Sequence, residues 1–398
     1  MLPSKLFRTY SRGMPNQQQQ AALGAVIGSL VGDAAGATLE FAGKGYWRDK
    51  FFRRLQSSMP QPKDPLESGR ISQEAVKWAL SMPGGGIHAV APGQITDDGE
   101  LTLCLLQGLA KRVRGEASLQ EHEDPSFFWK EYPAMNYALW LASVPFDIGN
   151  TTRIAIEGSL DLQRIKAPLS KRMYMSTDVG SAANGSLMRC IPIAVFGHRM
   201  TDAEIATIGE HDSALTHSNP VCTIAVAAYC IAAAHLIRTA GDESVNRPVA
   251  AWTRASEWIV SERQQCEPAS PRGQALSDVH SWLAYANTEA PIPFGPLEGF
   301  VKIAFTHAFR HLLLGSSFEH ALSETLRGGG DTDTNACIVG GLVGCARQLN
   351  DIDGFYVNKV LGSDLSLGKH PRPDWLRPHD IEGLVQNVLA HAPKSLPR

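Results

Sequence analysis

Apolar residues run along this chain in helix-length blocks, and the two-residue alternation that marks a half-buried strand is hard to find. The first block, residues 17–39, carries glycines at positions 24, 28, 32 and 36. A spacing of four places them on one helix face, so that face is bare backbone and a second helix can approach closely in a soluble bundle. Residues 100–113, 221–237, 299–314 and 335–349 show further long apolar runs or helical periodicity. The pattern predicts an all-α fold with many helices.

Glycine and proline punctuate these blocks: Pro83-Gly84-Gly85-Gly86 and Pro92-Gly93 before one, Pro291 to Pro296 before another, Gly328-Gly329-Gly330 before a third. The polar stretch 241–278 reads as a surface insertion holding one amphipathic helix around residues 250–263. No composition shift marks a domain boundary, so residues 20–398 are expected to form one domain. Residues 1–19, with Lys5, Arg8 and Arg12 and no acid, are expected to be a disordered extension, with Met14 an alternative start.

Charge and cysteine content narrow the function classes. A formal charge of −3 argues against a surface that coats nucleic acid and against a polybasic membrane face. Seven scattered cysteines without a CxxC read as small buried hydrophobes of a reducing compartment, so a cytoplasmic protein is expected; a monomer is expected as well. Neither apolar candidate span is convincing as a membrane helix, since residues 21–39 are interrupted by Asp33 and residues 221–237 are closed by His235 and Arg238.

Two segments place acids and hydroxyls where helices begin: Thr96-Asp97-Asp98 and Asp331-Thr332-Asp333-Thr334. One such segment would be an ordinary N-cap. Two of them crowd four carboxylates and three hydroxyls at two helix starts, and adjacent acids repel unless a cation neutralises them. Oxygen donors without clustered Cys or His select a hard ion, Mg²⁺ or Mn²⁺ before Zn²⁺. Glu40, just after the glycine-faced helix, is a third candidate acid, whereas Asp33 inside that helix reads as a structural hydrogen-bond partner whose burial is costly if unpaired. Other metal and phosphate patterns fail: His307 and His311 form HxxxH without a neighbouring Glu and read as a wet helix face, DDxxD ends at Leu101, and no GxxxxGK[ST] exists.

Ala183-Asn184-Gly185-Ser186-Leu187-Met188-Arg189 reads as a small-residue turn opening an apolar stretch, where free N–H groups could hold a pyrophosphate. Together with GAVIGSLVGDAAGATLEF, TDDGELTL, FDIGNTT, THSN and GGDTDTNACIVGGLVG, in this order over about residues 20 to 350, it resembles the ADP-ribosylglycohydrolases, a family that includes the dinitrogenase reductase-activating glycohydrolases and ADP-ribosylarginine hydrolases. The resemblance implies an all-α fold with a cleft for two Mg²⁺ ions, Mn²⁺ being a substitute, and hydrolysis of the bond between ADP-ribose and an acceptor. It implies Thr96, Asp97, Asp98, Asp331, Asp333 and Thr334 as metal ligands, and Glu40 as an acid near the metals and the scissile ribose. Asp97 or Asp98 would take the proton of the attacking water. Gly185, Ser186 and Met188 would line the ADP-ribose cleft, with His217 near the distal ribose. Phe300, at a helix start after the proline-rich break, is a candidate to stack on adenine and equally a core aromatic. Gly99 departs from the Thr or Ser common after the two aspartates. The expected substrate is ADP-ribosylated arginine on a protein. Serine-linked, polymeric and small-molecule ADP-ribose, or a non-catalytic crystallin-like binder, are the alternatives within the same resemblance.

Overall fold

The computed structural model describes residues 15–41, 66–67, 70–111, 126–367 and 369–396. Among them sixteen α-helices follow one another: α1 (Gln17–Gly36), α2 (Gln73–Leu80), α3 (Asp97–Leu109), α4 (Phe127–Ala142), α5 (Asn150–Asp161), α6 (Leu169–Met175), α7 (Ile191–Gly197) and α8 (Asp202–Ala214). The second half continues with α9 (Pro220–Arg238), α10 (Arg247–Gln264), α11 (Pro271–Ala286), α12 (Val301–Leu313), α13 (Phe318–Arg327), α14 (Thr332–Arg347), α15 (Gly354–Leu361) and α16 (Ile381–Ala390). One two-residue antiparallel pair, Leu66–Glu67 with Arg70–Ile71, is the strand content of the described residues. The all-α expectation stands.

The closest helix pair is α1 against α14, and glycine makes it possible. A Cβ at Gly28 would lie 2.5 Å from the Gly340 carbonyl oxygen, and one at Gly24 or Gly32 would lie closer still to the carbonyl oxygens of Gly344 and Ala336. Position numbers rise along α1 as they fall along α14, so the helices are antiparallel. The C-terminus of α1 therefore meets the N-terminus of α14, where the Thr332 hydroxyl donates to the Gly36 carbonyl at 2.8 Å. Around this pair α9 forms a second buried axis, touching α7, α8, α10, α11, α12 and α14. By length and composition α9 could cross a membrane, but 83% of its apolar window is buried inside the protein.

Two sequence readings need correction. Helix α1 starts at Gln17 behind an Asn16–Gln19 capping box, so residues 17–19 are helical and not part of a disordered extension, while residues 1–14 lie outside the described residues. The stretch 241–278 is not an insertion with one helix: α10 runs from 247 to 264, α11 starts inside the stretch, and each buries an apolar stripe, Ala251, Ala255 and Ile259 on one and Leu276, Val279 and Leu283 on the other. The tryptophans Trp258 and Trp282 complete these stripes from within polar surroundings, which is why composition alone hid them.

Gly32→Ala should lower stability by about 2–3 kcal/mol or prevent folding, because the obstructing atoms are backbone and cannot swing aside. Gly354→Ala, whose nearest neighbour to the new Cβ is 4.0 Å away, should be neutral or slightly stabilising. Urea melts of the two variants check the contrast.

Candidate functional site

The antiparallel α1–α14 contact carries Glu40 to the start of α14. There Glu40, Asp331 and Asp333 present carboxylate oxygens within 4.8 Å of one another, and Asp33, Asp98 and Asp333 form a second such triad. Asp333 belongs to both. Helix α3 supplies Asp98 and begins at Asp97, three residues earlier than the apolar pattern suggested, so its acids sit in the first turn.

Neither helix start uses its acids or hydroxyls as caps. Thr96 and Asp331 are the N-cap residues of α3 and α14, and neither side chain accepts a capping hydrogen bond. The Thr96 hydroxyl instead lies 2.8 Å from Asp33 Oδ1 and 3.2 Å from Asp98 Oδ2. Asp331 Oδ2 accepts from the Asn184 amide at 2.7 Å. Asp33 does the work of holding α3: it accepts from the Thr96 N–H at 3.0 Å and the Gly99 N–H at 2.9 Å. Asp33 is thus a hydrogen-bond partner, as its sequence position suggested, and it is also a member of the second triad. Gly99 is explained by the same contact, since a Cβ there would stand 2.6 Å from Asp33 Oδ2.

This concentration of acid is unfavourable without a counter-charge. Burial pushes Asp33 up to about 7, against the opposing hydrogen bonds from Thr96 and Gly99. Burial likewise pushes Glu40 up to about 7, and it raises Asp97, Asp98 and Asp333 well above the usual carboxylate range, with the neighbouring acids adding to each. Asp98 Oδ1 is buried with no hydrogen-bond partner. An orphaned carboxylate oxygen among overlapping all-oxygen triads fits a hard divalent cation, with Thr96, Asp98, Asp331, Asp333 and Thr334 around it. Thr334 joins through its hydroxyl, 3.5 Å from Asp98 Oδ2. Asp97 belongs to neither triad and interacts with Asp147.

Asp147 and His88 are the residues that sequence reasoning missed. His88 Nε2 stands 3.1 Å from Glu40 Oε2 and 3.4 Å from Asp147 Oδ2. Burial opposes its charge, but the two carboxylates hold its imidazolium above its ordinary value. The ring leans on Phe146, which stacks on His370. Asp147 lies within the quoted FDIGNTT segment, so a signal existed for it. His88 sits in an irregular loop after the 84–86 glycines, and nothing local marked it.

The proposed ligand segment is not a helix start. Residues 184–190 form successive turns, with the Leu187 and Met188 N–H groups both donating to the Asn184 carbonyl, and α7 begins only at Ile191. Gly185 is adjacent to His217: a Cβ there would lie 3.0 Å from His217 Nε2. The Ser186 hydroxyl accepts from Ser213 at 2.8 Å. Burial beside Arg189 pushes His217 down to about 3, so its ring is neutral. Phe300 pairs through its backbone with Ala183, and Gly299 borders Asp331, but the Phe300 ring packs edge-on against Trp282. With Tyr285, Ile292 and Pro296 it lines a depression of about 490 Å³. His307 and His311 are buried and not on a wet face, their rings 6.5 Å apart and His307 stacked on Phe294.

Known proteins resemble this chain over most of its length. The family model described as ADP-ribosylglycohydrolase matches residues 14–393. The chain is 26% identical over 342 residues to the ADP-ribosyl-[dinitrogen reductase] glycohydrolase of Rhodospirillum rubrum, spanning 85% of this chain and 90% of that protein. It is 27% identical over 199 residues to the ADP-ribosylarginine hydrolase Tri1 of Serratia proteamaculans, spanning 50% of this chain and 42% of that protein. A solved structure titled ADP-ribosylglycohydrolase-related protein complex shares the fold, with a TM-score of 0.61 at 21% identity over 95% of this chain and 99% of that one.

The raised acids give a signed pH dependence. Asp33 and Glu40 have ordinary values of 3.8 and 4.5 and folded values of about 7, so the stability they contribute is full below those ordinary values and is lost as pH rises towards 7. In chelator the melting temperature should fall between pH 5 and pH 8, and added Mn²⁺ should raise it more at pH 8 than at pH 5. Thermal melts check this, and a chelated protein that gains stability over the same range would contradict it.

Proposed function

The chain belongs to the ADP-ribosylglycohydrolase family, and from that premise we propose that it is a Mg²⁺-dependent, cytoplasmic, monomeric hydrolase that removes ADP-ribose from arginine side chains of modified proteins. The observation that carries the reading is the set of buried acids, contributed by two helix starts whose side chains do not cap their helices. Arginine as the acceptor is supported by the names of the relatives and by the acidic mouth of the cluster. Glu40 and Asp147 already flank a planar ring there, His88, and favour its imidazolium form, and a guanidinium shares that charge and flatness.

Two Mg²⁺ ions held by Thr96, Asp97, Asp98, Asp331, Asp333 and Thr334 would orient the ribose hydroxyls and acidify a water. The chain's own residues do the rest. Asp98 or Asp97 accepts a proton from the water as its oxygen bonds to the anomeric carbon, and the carbon–nitrogen bond to the guanidine breaks. The departing nitrogen regains a proton, so one water is consumed and free arginine and ADP-ribose result. Glu40, 6% exposed and beside Asp331 and Asp333, orients the ribose. A paired-carboxylate glycosidase would need no cation, and its two acids would not be embedded among so many others.

The nucleotide would lie along residues 185–188 and His217. Gly185 and Ser186 approach the pyrophosphate, Met188 closes the wall behind them, and His217 faces the distal ribose. Phe300 offers its ring to adenine in the depression shared with Trp282.

Purified protein should release ADP-ribose from ADP-ribosyl-arginine in Mg²⁺ and lose that activity in EDTA, and Asp98→Asn should lose turnover by about 10²-fold or more while staying folded. Cleavage that survives EDTA would overturn the metal assignment, and cleavage of serine-linked conjugates alone would overturn the acceptor.

ADP-ribose should bind more tightly than AMP, and Phe300→Ala should weaken ADP-ribose by about 1–2 kcal/mol in calorimetry if the ring stacks on the base. Unchanged affinity with a lowered melting temperature would assign Phe300 to the packing around Trp282 instead.

A further inference from the structure

Arg189 ends the ANGSLMR segment, and neither the cation cluster nor the cleft wall uses it. It is fully buried, an expensive place for a charge that never deprotonates. Each of its three nitrogens has an acceptor. Nε donates to Asp212 Oδ2 at 3.1 Å, one terminal nitrogen to the Asp212 carbonyl at 2.7 Å, and the other to the Thr216 hydroxyl at 2.8 Å. The plane lies over the Tyr137 ring, 4.5 Å from its centre, and the Tyr137 hydroxyl donates to Asp212 Oδ1 at 2.7 Å. The part of this network that leads to His217 is Thr216, whose oxygen is also 2.8 Å from His217 Nδ1.

The donor inventory fixes the direction of that last bond. A guanidinium can only donate, so the Thr216 oxygen is an acceptor towards Arg189, and its single proton has no other acceptor among the described residues than His217 Nδ1. Nδ1 is then the bare, accepting nitrogen, and the ring proton sits on Nε2, the atom that faces Gly185. The backbone of His217 is held as well: its N–H donates to the Ser213 carbonyl at 2.7 Å.

We propose that Arg189, acting through Thr216, is a positioning residue that holds His217 in one tautomer, so that it always presents an Nε2–H donor to an oxygen of the bound nucleotide ligand. The inference rests on the proposed function only for the identity of that ligand. The fixed tautomer is a property of the free protein.

The test uses full-length protein labelled with ¹⁵N-histidine. Ring correlations should show His217 protonated at Nε2 and bare at Nδ1, unchanged from pH 5.5 to 8. Thr216→Val removes the relay while keeping the side-chain volume. It should give a mixed or reversed tautomer and weaken ADP-ribose about tenfold in calorimetry, the scale of one lost ligand hydrogen bond. Thr216→Ser should restore both readouts. A wild-type His217 protonated at Nδ1, or Thr216→Val protein that binds ADP-ribose as tightly as the wild type, would overturn the proposal. A wild type that shows the Nε2–H tautomer but does not bind ADP-ribose would support the relay and overturn the proposed function alone.

Discussion

The backbone contact between α1 and α14 is the constraint on which the rest of the molecule depends. Two helices meet where glycine lets carbonyl oxygens stand in the places that Cβ atoms would take, and their antiparallel sense brings the end of one to the start of the other. That end and that start carry Asp33, Glu40, Asp331 and Asp333. With ordinary side chains at the four glycine positions the helices would sit further apart, and Glu40 and Asp33 could not share Asp333 as a common neighbour. Packing and chemistry are therefore one feature here: the close approach that stabilises the core also builds the acid cluster.

The cluster is held in place by interactions that cost the metal-free protein stability. Asp33 satisfies its buried carboxylate by pinning Thr96 and Gly99, so it fixes α3 against α1 while adding negative charge to a region that already has too much. His88 relieves part of this at the mouth, between Glu40 and Asp147. Behind residues 184–190 the charge of Arg189 is balanced internally by Asp212, and His217, kept neutral by burial, lies beside Gly185.

Much of this was legible in the sequence where it depended on local pattern. The glycine spacing from Gly24 to Gly36 foretold a close helix contact, and the two acid-and-hydroxyl segments foretold a shared site, because repulsion among buried carboxylates is a matter of residue type. What the sequence hid depended on three-dimensional return. His88 approaches Glu40 from an irregular loop, and Asp147 reaches Asp97 from the break before α5. Residues 184–190 looked like a helix start, since glycine and serine serve turns and helix starts alike, but the helix begins only at Ile191. Helix α11 was missed because its buried residues are spread among polar ones, and HxxxH looked wet because the loop that brings Phe294 onto His307 comes from outside the helix.

Anomalous scattering from crystals soaked in Mn²⁺ tests the site directly, because it locates cations without reference to activity or substrate. Two peaks among Thr96, Asp97, Asp98, Asp331, Asp333 and Thr334 are the predicted result. A vacant acid cluster, or a single peak between His307 and His311, would contradict it.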